Sequence, residues 1–139
     1  MKLEEQVTNL ELSKKLKELG VKQESLFYWI GGAEKGLIYK NFPDSTLPQL
    51  IEKGYSAFTV AELGMLLPDD DDVTDLYGKE GYFKLEYSKV TVNKKTYYCI
   101  DVVGELSGKL RDSKARIQEL SEANARAKML IYLIEKKLL

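Results

Sequence analysis

The sequence predicts an α+β fold in which an antiparallel sheet of two hairpins packs against N- and C-terminal helices. Three observations carry that expectation. Two β-rich runs flank a glycine-containing loop within residues 25–40, a second pair at 82–103 matches its apolar positions in one register, and apolar stripes of helical period lie near both ends.

Taken in order, Thr8-Asn9-Leu10-Glu11 reads as a capping box, in which the Thr hydroxyl accepts from the amide three residues on and the Glu reaches back. Leu12, Leu16 and Leu19 recur at helical spacing and Gly20 supplies a left-handed stop, so a helix is expected over residues 9–19. Residues 25–30 and 37–40 read as a hairpin with a longer loop, and residues 47–53 as a short helix closed by Gly54. A second capping box, Thr59-Val60-Ala61-Glu62, opens a two-turn helix with Leu63, Leu66 and Leu67 apolar and Pro68 at its end. Asp69, Asp70, Asp71 and Asp72 then form an acidic loop, and residues 79–81 are turn-like.

If Asn93-Lys94 is a two-residue turn, Leu85 faces Val102 and Tyr87 faces Ile100 on one side, a set that a one-residue slip turns outwards. Val90 with Tyr97, Ser88 with Cys99 and Glu86 with Asp101 share the other, wetter side. The like-charged pair Glu86 and Asp101 needs a lysine such as Lys84 nearby. From a Ser121 cap, Ala123, Ala127, Leu130, Ile131, Ile134 and Leu138 form the broad face of the last helix. Ile117, Leu120, Asn124, Ala127, Ile131, Ile134 and Leu138 also fit a heptad, which allows a homo-oligomer through this helix, although packing on the chain's own sheet is favoured.

The 139 residues suit a single domain, residues 1–139, with 44% hydrophobic and 31% charged residues and no run of about 18 apolar residues for a membrane span. Residues 1–8 are charged, unlike a signal peptide. Lysine plus arginine number 21 against 22 acids, so the net charge of -1 gives no global field towards nucleic acid or anionic lipid. The only basic group apparent along the chain is Lys14, Lys15, Lys17 and Lys22, with Glu11, Glu18 and Glu24 among them, and duplex DNA binding at physiological salt is expected to be no better than that of a neutral protein. One cysteine and no histidine discourage metalloenzyme and triad-hydrolase chemistry.

Three stretches carry a resemblance: Glu18-Leu19-Gly20-Val21-Lys22-Gln23-Glu24-Ser25 into Phe27-Tyr28-Trp29, Ala61-Glu62-Leu63-Gly64 into Leu67-Pro68, and Ala125-Arg126-Ala127-Lys128-Met129-Leu130-Ile131-Tyr132-Leu133-Ile134-Glu135. On these the chain resembles a family of small uncharacterised proteins of bacteriophages and prophages. The resemblance implies a viral or prophage origin and a bacterial host cytoplasm, and it supplies no catalytic residues. Residues 69–81 and 105–120 fall outside these stretches.

Other motifs weigh little. Residues 12–29 can be read as a helix-turn-helix with Lys22, Gln23, Ser25 and Tyr28 facing a groove, yet Lys15 and Leu16 are ill suited to its packing and residues 25–30 are better strand formers. Gly31 and Gly36 have phosphate-loop spacing, but Leu37 and Ile38 stand where lysine and a hydroxyl belong. A calcium loop from Asp69 to Glu80 has Thr74 in place of the required glycine. Cys99 reads as a small buried side chain with no base to activate it. Phe27, Tyr28, Trp29, Tyr39 and Phe42 form a base-stacking platform only if they share one face, and a hairpin sends some of them inward.

The expectation is thus a non-enzymatic phage or prophage accessory protein that binds another macromolecule, with no catalytic residue, cofactor, metal or membrane partner and with nucleic acid disfavoured. The alternative is a DNA-binding regulator using residues 12–29.

Overall fold

The computed structural model describes residues 2–31, 36–43, 45–68, 81–106 and 109–137, and their side chains except at 81–83, 104–106 and 109–114. The expected acidic loop at residues 69–72, and the rejected calcium-loop motif from Asp69 to Glu80, lie outside the described residues. A 3₁₀ turn, Leu3–Glu5, precedes α1 (Leu10–Glu18), β1 (Phe27–Ile30), β2 (Gly36–Tyr39), α2 (Leu47–Lys53), β3 (Tyr55–Ser56) and α3 (Val60–Leu66). Then come β4 (Gly81–Val92), β5 (Lys95–Leu106), β6 (Lys109–Glu119) and α4 (Glu122–Glu135).

The class is α+β, with helices flanking antiparallel strands, but the two hairpins do not share a sheet. They lie in separate three-stranded sheets of order β2-β1-β3 and β4-β5-β6. In the first, β1 is central, with Tyr28 opposite Ile38 on one neighbour and Ser56 on the other. Residues 21–25 carry no helix and Phe27–Ile30 is a strand, so the second helix of a helix-turn-helix at residues 12–29 is absent. Phe27, Tyr28, Trp29 and Ile30 favour extended backbone, and as the central strand β1 pairs its backbone with both β2 and β3, which a helix cannot do.

Helix α1 begins one residue later than the sequence suggests, because Asn9 rather than Thr8 caps it, its side chain accepting from the Leu12 amide at 2.9 Å. Thr8 is drawn inward instead: its Oγ1 accepts from the Phe58 amide at 3.0 Å and lies 2.7 Å from Ser13 Oγ. Gly20 closes the helix at φ +85°, where a β-carbon is strained. Gly54 ends α2 for another reason: its φ is -88°, but a β-carbon would lie 2.6 Å from the Trp29 carbonyl oxygen. The capping box of α3 forms as the sequence indicates, with Thr59 accepting from the Glu62 amide and Glu62 from the Thr59 amide.

The hairpin register is the one read from the apolar pattern, with Leu85 opposite Val102, Tyr87 opposite Ile100 and a two-residue turn at Asn93-Lys94. Leu85, Ile100 and Val102 are buried against the helices, whereas Tyr87 is exposed at the margin under the Arg126 guanidinium, 4.7 Å from the ring centroid. Strand β6 was not legible in the sequence. It pairs Ile117 with Ile100 and Arg116 with Asp101, so Arg116 grips both carboxylate oxygens at 2.8 and 3.0 Å while Lys84 pairs with Glu86 at 3.4 Å. The expected Glu86 and Asp101 repulsion is relieved from both sides, and the supposedly wet face keeps Cys99 and Asp101 buried.

Because Ile117 belongs to β6 and Leu120 precedes the Ser121 cap, the heptad is not continuous helix. Helix α4 is buried on two sides: Ala123, Ala127 and Leu130 form one row, and Ala125, Met129 and Leu133 form another. Together with Leu16, Phe58, Leu63, Leu85, Ile100 and Val102 these make the main core, each large side chain contributing about 1.5 to 3 kcal/mol on burial. The described helix ends at Glu135, short of Leu138, and Ile131 and Ile134 are only half-buried. A smaller cluster of Val7, Trp29 and Ala57 fastens the first sheet, where Trp29 Nε1 donates to the Thr8 carbonyl at 2.8 Å.

Candidate functional site

The residues expected to face DNA are mostly occupied inside the fold. Tyr28 is buried, its hydroxyl donating to the Gln23 carbonyl at 3.2 Å and accepting from the Ser25 amide at 3.1 Å. Buried Ser25 lies within 3.0 Å of the Ala57 carbonyl and 2.9 Å of Glu62 Oε2, and Gln23 Oε1 accepts from the Ser56 amide at 2.9 Å. Lys22 alone is exposed, and it pairs with Glu24 at 2.9 Å. The four therefore form no common contact face.

The neighbouring lysines are also engaged. Lys15 pairs with Glu135 at 3.2 Å, Lys17 donates to the Gly54 carbonyl at 2.9 Å, and both Lys14 and Lys17 sit over the Tyr55 ring. The aromatic platform is split likewise, with Tyr28 and Trp29 buried and Tyr39 and Phe42 exposed.

A different basic group is assembled by the second hairpin. Strand β6 pairs with β5 only as far as Tyr98, opposite Glu119, and beyond that point β4 and β5 continue alone as a two-stranded ribbon. Residues 87–96 are exposed throughout, including Val90 (43%) and Val92 (51%). From Tyr87 to Ile100 the sequence contains no acid, and the ribbon carries Lys89, Lys94 and Lys95. Lys89 lies 5.3 Å from the Tyr98 ring centroid, and among the described residues no carboxylate pairs with Lys94 or Lys95. The turn holds Asn93 at φ +50° and Lys94 at φ +63°. Left-handed backbone at both central positions matches strand twist, and glycine is the usual occupant of the second. Lysine here keeps a charge at the apex at a cost of about 1 kcal/mol or more.

Grooves among the described residues lie elsewhere. One of about 540 Å³ between α1 and α4 includes Leu12, Ile117, Ile131 and Tyr132, with its rim charges Lys15 and Glu135 paired to each other and Lys128 held by Glu119. Another of about 640 Å³ is lined by apolar Leu3, Phe27, Val60, Tyr98 and Leu120 beside Glu5 and Glu122. On the sheet's outer face Asp101 raises the Arg116 pKa above its ordinary value, chiefly through the hydrogen bond and then through its charge. Cys99 is a buried free thiol there.

Among the described residues no helix is long and apolar enough to cross a membrane. The ribbon could have been suspected from its acid-free run and turn chemistry, but the spacing of Lys89 from Lys94 and Lys95 hides their proximity until the turn is made. Compared with protein-family models, with curated proteins and with solved structures, the chain matches none.

Proposed function

We propose that the chain is a non-enzymatic phage or prophage accessory protein that acts in the bacterial host cytoplasm by binding another macromolecule. The phage origin and the compartment rest on the resemblance of the three quoted stretches. The binding role rests on one observation: the β4–β5 ribbon extends past its third strand and leaves residues 87–96 exposed on both faces.

Fixing a residue's backbone costs about 1 to 2 kcal/mol, and a two-stranded hairpin alone in water is at best marginally stable. A ribbon end that covers little of its own chain contributes little to the core, so its length and charge are better explained by a surface it meets in a partner. Capture from infected or prophage-induced host cells tests this, comparing the wild type with a variant whose ribbon is shortened by removing the cross-strand pairs Thr91 with Thr96 and Val92 with Lys95 around a retained Asn93-Lys94 turn. A macromolecule recovered by the wild type and lost by the shortened variant supports the role. Equal recovery by both, or none by either, contradicts it.

A further inference from the structure

We infer that the ribbon end is a nucleic-acid-binding arm that enters the major groove of duplex DNA. The inference rests on the macromolecule-binding reading above and names the partner.

The first ground is charge placement. The pairs Lys89 with Tyr98 and Thr91 with Thr96 lie on the helix-covered side of the sheet, whereas Val90 with Tyr97 and Val92 with Lys95 lie on the opposite side. Lys89 and Lys95 therefore project from opposite faces, with Lys94 at the apex between them. A flat acidic protein surface or a bilayer meets one face of a ribbon and leaves the other lysine in water. A groove has phosphates along both walls, so all three ammonium groups find anions at once. The major groove is about 12 Å wide and admits a two-stranded ribbon.

The second ground is separation from the acidic body. Lys95 and Lys94 stand three and four residues beyond Tyr98, the last position paired with β6, which at about 3.4 Å per residue is roughly 10 to 14 Å along the ribbon. The Debye length is about 10 Å at 0.1 M salt, so the body's carboxylates are largely screened from a phosphate at the apex. The whole-chain charge of -1 accordingly does not decide what the arm binds. The third ground is the Lys94 backbone, whose φ of +63° would suit glycine better yet carries a cation at the point that enters first.

The experiment is fluorescence anisotropy of a labelled mixed-sequence DNA duplex with the full chain, across about 50 to 200 mM salt. Three phosphate contacts give a log-log slope of about -2.7, or about a 40-fold loss of association constant across that range. The Lys89→Gln, Lys94→Gln, Lys95→Gln triple variant should abolish the salt-dependent binding, while Lys14→Gln with Lys22→Gln leaves the slope unchanged. Lys94→Gly supplies a control for folding: it should raise the melting temperature while reducing the slope by about 0.9. Polyglutamate and phosphatidylserine vesicles should bind at least about tenfold more weakly than the duplex. No duplex binding at low salt, an unchanged slope in the ribbon triple variant, or equal binding to polyglutamate or the vesicles overturns the inference. So does increased self-association of the triple variant without a change in duplex binding, which would make the lysines guards of an open strand edge. Ribbon-dependent capture of a protein from cells, with no duplex binding, refutes the nucleic-acid arm and leaves the broader binding role standing.

Discussion

Replacing Leu133 and Ile134 separately by alanine reads out which side of α4 carries the core. Leu133 is 0% exposed and belongs to the main cluster, whereas its neighbour Ile134 is half-buried. Leu133→Ala removes three carbons, about 2.4 kcal/mol at roughly 0.8 kcal/mol per buried carbon. Because α4 is buried on two sides the site collapses poorly, and a residual void adds about 1 kcal/mol, for a total of about 3 to 4 kcal/mol. Ile134→Ala loses about half the transfer contribution and leaves a site that water can reach, so about 1 to 1.5 kcal/mol is expected. With an unfolding entropy of about 0.29 kcal/mol/K for a chain of this length, the melting temperature falls by about 10 to 14 °C for Leu133→Ala and about 3 to 5 °C for Ile134→Ala. Urea and thermal unfolding by circular dichroism give both values, and an unchanged urea slope shows that only stability has moved. An Ile134→Ala loss equal to or larger than that of Leu133→Ala, or a Leu133→Ala loss under about 1 kcal/mol, refutes the placement of α4 between two packed layers.

Gly54→Ala should cost about 2 to 3 kcal/mol, since the new β-carbon meets the Trp29 carbonyl of the central strand β1 rather than a flexible side chain; a melting temperature within error of wild type would contradict that close approach. Ser56→Ala is expected to be neutral or to stabilise by up to about 1 kcal/mol, because the Ser56 hydroxyl is buried with no hydrogen-bond partner among the described residues, and a loss above about 1 kcal/mol in urea unfolding would reveal one. Lys94→Gly should stabilise by about 1 kcal/mol by removing left-handed strain at the turn, whereas destabilisation in the same assay would show that the unfolded-chain entropy of glycine dominates.

Local chemistry made much of the fold legible. The Thr59 and Glu62 capping box, the Gly20 stop and the Asn93-Lys94 turn each depend on a few adjacent residues, and the register of β4 with β5 follows from an apolar set that only one alignment buries. What depended on distant partners was not legible. Thr8 and Asn9 are comparable caps in isolation, and the Phe58 amide fifty residues away decides between them. Strand β6 lacks the aromatic and β-branched density of a strand, and its charged sequence pairs because β5 offers an open edge and Asp101 awaits Arg116. Which hairpin joins which sheet is likewise a tertiary choice. Met129 and Leu133 escaped the single-stripe reading because α4 is buried on more than one side.

The basic group at Lys14, Lys15, Lys17 and Lys22 was conspicuous in sequence but is engaged by Glu135, Glu24, Tyr55 and the Gly54 carbonyl. The ribbon lysines are separated in sequence and become neighbours only through the turn. Expectations drawn from charge counts therefore did not single out the surface whose lysines have no carboxylate partner among the described residues.

Amide chemical-shift mapping of the isotope-labelled chain during titration with a DNA duplex at low salt tests the ribbon most directly. Shifts that saturate and concentrate at residues 89–96, with residues 22–28 unmoved, are the predicted result. Shifts centred on Lys22, Gln23, Ser25 and Tyr28, or none at the ribbon at saturating duplex, would contradict it.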